Sequence, residues 1–204
     1  MATKSKLFAV AGTEMRSRGR VWKFGDFLDA EEICATQYFP LDPLELRQHV
    51  FEILRPEFGK EVAPGDLIVG GRGFGVGVGH DHCNVALKST GVTGVIAVSF
   101  GTQFYRHCVD HAMPLIRAKD AFTAIADGDD IEVDFLSGEI NNHSSGATIS
   151  GGPLEGTQLE IVMAGGLIPY IREPQDQVQA SVLESVSVSV SVSVSELELV
   201  SVSV

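Results

Sequence analysis

The chain has 204 residues, enough for one medium domain or a domain with a tail and too few for two full cores. Fifteen Lys and Arg against 27 Asp and Glu leave a net charge of −12, a poor start for binding phosphate backbones, so no nucleic-acid partner is expected. A hydrophobic fraction of 44% with 22 glycines excludes wholesale disorder, and no apolar run of about 18 residues offers a membrane-spanning helix.

The first residues lack the apolar core of a signal peptide. Lys4, Lys6, Arg16, Arg18 and Arg20, opposed only by Glu14, keep a mitochondrial presequence as the alternative to a cytoplasmic location. Cys34, Cys83 and Cys108 form no C-x-x-C, which argues against a disulfide framework and against a self-contained thiolate metal or iron–sulfur site. Each is expected to be a small buried apolar residue in a reducing compartment.

In chain order, Gly19 to Gly25 reads as a strand entering a turn. Asp42 to Leu54 has an Asp N-cap, Pro43 in the first turn and apolar residues at 44, 46, 50, 51, 53 and 54, and predicts one amphipathic helix closed by Pro56. Asp66 to Gly70 is a short buried strand after the Pro64-Gly65 turn, and Gly91 to Phe100 contains a second. Phe104 to Met113 predicts a helix stopped by Pro114. Asp129 to Leu136 and Gly138 to Asn141 form a hairpin around Ser137-Gly138, and Gln158 to Gly166 is a helix ending at glycine. The alternation predicts one α/β domain of mixed topology over about residues 15–172. Residues 173–204 carry five acids, no Lys or Arg, and strict Ser-Val alternation from Ser185 to Ser195, and read as a disordered low-complexity tail or an added edge strand. Without them the body has a net charge of −7, from 15 basic and 22 acidic residues.

The most informative stretch is Gly70 to His82, with glycines at 70, 71, 73, 75, 77 and 79 between a buried strand and a predicted helix start at Cys83. A strand, a glycine-rich turn and a helix N-terminus converge backbone N–H groups on an anion. The pattern is not a dinucleotide fingerprint, because position 80 is His rather than Gly or Ala, and no Lys-Ser/Thr follows to make a P-loop. The bland reading is that these glycines only permit a sharp turn against neighbouring backbone.

From Gly19 to Arg172 the body resembles the small subunit of 3-isopropylmalate dehydratase, related to the swivelling domain of aconitase. The resemblance rests on Gly19-Arg20-Val21, Phe24-Gly25-Asp26, Gly65 to Gly70, Phe74-Gly75, Gly77, His82, Ala86-Leu87-Lys88, Val95-Ile96-Ala97, Ser99-Phe100, Phe104 to Arg106, Ile131 to Asp134 and Ala164 to Tyr170. It implies an α/β swivel fold and a heterodimer. A large subunit holds an iron–sulfur cluster that binds a 2-hydroxy di- or tricarboxylic acid, and the small chain, with no cofactor of its own, closes over it. It also implies a Gly-Ser-Ser-Arg-Glu-His loop, whose first Ser acts as base and whose Arg holds a substrate carboxylate.

Here the corresponding residues are Gly77, Val78, Gly79, His80, Asp81 and His82. Val78 cannot take a proton, and His80 offers one hydrogen bond where a guanidinium offers a charged fork. The family's early Thr-Asp is Ala30-Glu31, so the acidic substrate residue survives as Glu31. The expected binding set is Glu31, Arg72, Gly75, Gly77, Gly79 and Asp81, with His80 and His82 as the catalytic acid–base residues if the loop is active. Arg72 and Arg106 suit a carboxylate by their forks and suit a surface ion pair equally well.

His107, Asp110 and His111 stand at i, i+3 and i+4, one helical face that suits a divalent-metal half-site or a polar cleft lining. Three functions compete: a hydro-lyase small subunit of altered specificity, a non-catalytic swivel-fold binding or assembly module, and a stand-alone metal enzyme using His80, His82, His107, Asp110 and His111.

Overall fold

The computed structural model describes residues 15–78 and 80–172, with the single further position 183. The Ser-Val segment, Ser185 to Ser195, therefore lies outside the described residues. Strand β1, Arg16–Lys23, opens the fold and serves two partners. Its first residues pair antiparallel with β5, Asp130–Asp134, and Val21 to Lys23 pair parallel with β2, Leu67–Gly70. Beyond β2 lie β3, Gly94–Ala97, and β4, Leu115–Arg117, both parallel. Beyond β5 lie β6, Glu139–Asn142, and β7, Thr148–Ser150, both antiparallel. The order is β4-β3-β2-β1-β5-β6-β7, and Gly152, just past β7, exchanges backbone hydrogen bonds with Arg117 of β4 at 2.8 and 3.1 Å. That bridge draws the two sheet ends together into a half-barrel.

β2 and β3 are buried at all four positions, as a central parallel strand covered on both faces requires. Helices α1 (Ala30–Ile33), α2 (Pro43–Leu46) and α3 (Phe58–Glu61) lie between β1 and β2. Then come α4 (His82–Ser89), α5 (Thr102–Asp110), α6 (Ala121–Ala124), α7 (Gly156–Met163) and α8 (Leu167–Arg172). The expected strands, the hairpin and the glycine end of α7 are present, with Gly165 and Gly166 both at positive φ. Among the described residues, no helix is long and apolar enough to cross a membrane.

The predicted Asp42–Leu54 helix is broken. Asp42 caps α2 with a full capping box, but the chain tightens to a 3-10 turn at Arg47–His49 and reaches Phe51 at φ 54°. Phe51 donates its N–H to the Ile33 carbonyl (2.8 Å), stacks on Phe24 at 4.0 Å and meets Phe58 edge-on at 4.9 Å. The gain from burying that ring outweighs the local helix preference, and Leu44 and Ile53 are left exposed.

The same aromatic cluster includes Trp22, fully buried, whose indole N–H donates to the buried carboxylate of Asp66 at 2.8 Å. The same oxygen, Asp66 Oδ2, also accepts the Ala63 N–H at 3.0 Å, so one carboxylate oxygen at the foot of β2 takes both bonds.

Candidate active-site loop

The loop leaves β2 and runs between two supports. On one side, Leu28 O accepts from Gly75 and Val76 N–H (2.8 and 3.1 Å), and Ala30 N–H donates to Val76 O (2.8 Å). On the other, Ser99 O accepts from Phe74 N–H (2.9 Å), and Phe74 O accepts from Gly101 N–H (2.8 Å). Gly75 has φ +73°, and a Cβ there would lie 2.3 Å from the Phe104 ring; Gly77 has φ +93°, and its Cβ would lie 2.4 Å from Asp29 Oδ2. Both glycines are thus required by backbone conformation and by close approach. Gly79 lies outside the described residues.

Val78 is 73% exposed, so the residue at the family's base position is an apolar side chain in the open. His80 is exposed as well, with its ring 6.4 Å from Phe39 and 6.1 Å from His82. His82, in contrast, is only 6% exposed, and its Nε2 lies 3.0 Å from the Cys34 carbonyl. A carbonyl only accepts, so Nε2 carries the proton, and the buried Nδ1 has no hydrogen-bond partner. His82 ties α4 to the end of α1 and is not turned to solvent.

The remaining predicted residues separate into distinct ion pairs. Arg72 gives its fork to Asp26 (Nη2–Oδ2 2.5 Å, Nε–Oδ2 3.0 Å), and its backbone N–H reaches the other oxygen at 2.7 Å. These bonds hold the Asp26 carboxyl below the usual range. Glu31 is likewise lowered, by hydrogen bonds from the Thr36 side chain and backbone, with smaller help from His82 and His80. Asp81 and His111 meet at 2.7 Å, so the loop does contact the end of α5. Asp110 faces Arg106 at 3.8 Å, and His107 Nδ1 is buried without a partner. His107, Asp110 and His111 share a helix but point to different neighbours, and among the described residues no three His, Cys, Asp or Glu side chains converge on a metal position.

The cysteines do not fit an iron–sulfur cluster either. All three are buried and free, and burial pushes Cys34 up to about 11, Cys83 up to about 12 and Cys108 well above its usual value. Among the described residues they belong to no group of three side chains that could hold a metal ion.

One group escaped the sequence reading. Glu52 accepts from Tyr38 Oη at 2.5 Å and meets His49 Nδ1 at 2.5 Å, while the Tyr38 and His49 rings stack at 3.8 Å. With Glu31, Glu32, Ala35 and Ile53 they line a shallow acidic recess. The i, i+3 spacing of His49 and Glu52 was the available signal, but it lay inside the stretch read as a single helix.

A seven-stranded mixed sheet carrying a glycine loop between a buried strand and a helix N-terminus defines an α/β swivel domain of the aconitase type. No protein-family model matches the chain. It is 40% identical over 168 residues to the isopropylmalate/citramalate isomerase small subunit of Methanocaldococcus jannaschii, covering 81% of this chain and all of that one. It is 41% identical over 162 residues to the 3-isopropylmalate dehydratase small subunit of Aquifex aeolicus, covering 78% and 96%. A crystal structure of 3-isopropylmalate dehydratase from Methanocaldococcus jannaschii superposes with a TM-score of 0.75 at 34% identity, over 81% of this chain and 98% of that one. The chain belongs to the family of 3-isopropylmalate dehydratase small subunits.

Proposed function

We propose that the chain is the small subunit of a 3-isopropylmalate dehydratase-type hydro-lyase and closes over a large iron–sulfur subunit to act on a 2-hydroxy di- or tricarboxylic acid. The observation that carries this reading is the loop from Gly75 to His82, held between Leu28 and Ser99 and opening onto the eight-residue helix α4. A helix N-terminus favours a carboxylate there. A cluster held by the partner supplies a Lewis acid for the substrate hydroxyl. This chain's part is to hold and orient the acid. Arg72 has its fork on Asp26, so the exposed His80 remains for the carboxylate, and Val78 adds an apolar wall.

The apolar Val78 also favours a second reading, a module that docks on the large subunit without supplying a base. Co-expression of the intact chain with the large subunit of the same source, followed by a 3-isopropylmalate dehydration assay, separates the two. A catalytic subunit gives a stable complex that turns over, with Val78→Ser increasing the rate about a hundredfold if the hydroxyl regains the role of base. A docking module gives a complex with no turnover that Val78→Ser switches on. If no complex forms, both readings fail.

A further inference from the structure

Helix α5 supports the loop at both ends. At its start, Gly101 N–H bonds the Phe74 carbonyl and the Phe104 ring lies against Gly75. At its end, the Cys108 thiol donates to Asn84 Oδ1 (2.9 Å), Asn84 Nδ2 donates to Cys83 Sγ (3.7 Å), and the Cys83 thiol donates to the His80 carbonyl (3.0 Å). The last tie is made by His111 Nε2 to Asp81 Oδ1 at 2.7 Å.

Asp81 occupies the N-cap of α4, where an aspartate ordinarily accepts a hydrogen bond from the first-turn amides. Its carboxylate makes no capping bond and is turned across to α5 instead. His111 is itself held firmly. Its N–H donates to His107 O (3.0 Å) and its carbonyl accepts from Lys88 Nζ of α4, while Ala112 at φ 53° turns the chain back so that Met113 N–H reaches Cys108 O (2.8 Å). Lys88 of α4 is the cation bonded to His111, and on α5 Arg106 and Asp110 are joined to each other.

We propose that His111 is a positioning residue for the loop: acting through Asp81, it fixes the end of the loop that presents His80. Its consequence for ligand binding rests on the functional reading above, whereas the positioning itself does not.

Hydrogen exchange of the backbone amides from His80 to Cys83, measured on the intact chain, tests it. His111→Ala should speed their exchange about fivefold, the scale of one exposed ion pair. His111→Gln, whose amide can still donate to Asp81, should stay within about twofold of wild type. Asp81→Ala, at an exposed position that leaves the core untouched, should match His111→Ala, and the double variant should be no faster than either single one. Unchanged exchange in His111→Ala overturns the proposal. So does equal acceleration in the Gln and Ala variants, or additive effects in the double variant. Titration of the complex with the large subunit, with malate as the probe, separates the two readings: if the complex takes up no malate while exchange follows the expected pattern, the carboxylate reading fails and the positioning role stands.

Discussion

Strands β2 and β3 are buried at every residue, whereas β6 and β7 alternate between exposed and buried positions. The parallel half lies between helices, so its strands can be apolar throughout, and every polar or flexible residue is displaced to the strand ends. The antiparallel half has a solvent face and is laced by ion pairs, Arg16 with Asp134 at 3.0 Å and Arg18 with Asp130 at 2.6 Å. The glycine loop follows β2 and α5 follows β3, so the groups able to act on a ligand collect at the carboxyl ends of the buried strands. In this molecule, the half with the least chemical variety in its strands is the half to which we assign the proposed site.

The sharpest way to break the contrast is at Gly75. Gly75→Val places a branched side chain at positive φ against Phe104, and overpacking with backbone strain should cost about 3 kcal/mol in chemical denaturation. If Gly75→Val is as stable as wild type, the loop is not built as rigidly as its contacts imply. Next in size is Asp66→Ala, which leaves the buried Trp22 N–H without its acceptor and should lower stability by about 2 kcal/mol.

The smallest effect concerns acid. Hydrogen bonding from Arg18 holds the Asp130 carboxyl below its ordinary value, and Tyr38 followed by His49 does the same for Glu52. A carboxyl lowered on folding stabilises fully above its unfolded value, about 4, and loses that contribution as pH falls through the lower folded one. Urea midpoints should therefore hold down to about pH 5 and decline below about 4. Amide exchange in β5 and β6 should quicken before that in β2 and β3. Simultaneous loss of protection in both halves would show that the ion pairs do not distinguish them.

The sequence was most legible where the structure is local. The Pro64-Gly65 turn before β2, the turn at Ser137-Gly138 and the glycine end of α7 are each set by residues within a few positions of one another. The course of the loop was legible for the same reason, since glycines at 75 and 77 announce positive φ. Arg72 was not, because its partner Asp26 lies 46 positions away and leaves no periodic trace. Nor was the break at Phe51, where local pattern argued for helix and a distant aromatic cluster decided otherwise.

By itself the sequence determined the α/β class, the family and the substitution of Val78 and His80 in the loop, because burial period, turn chemistry and residue identity are written along the chain. Only the tertiary structure decided that His82 is buried on the Cys34 carbonyl, that His111 reaches Asp81 and leaves His107 and Asp110, and that Glu52 joins Tyr38 to His49. Each is a choice among several chemically competent partners, and side-chain packing makes that choice by bringing one within about 3 Å and turning the others away.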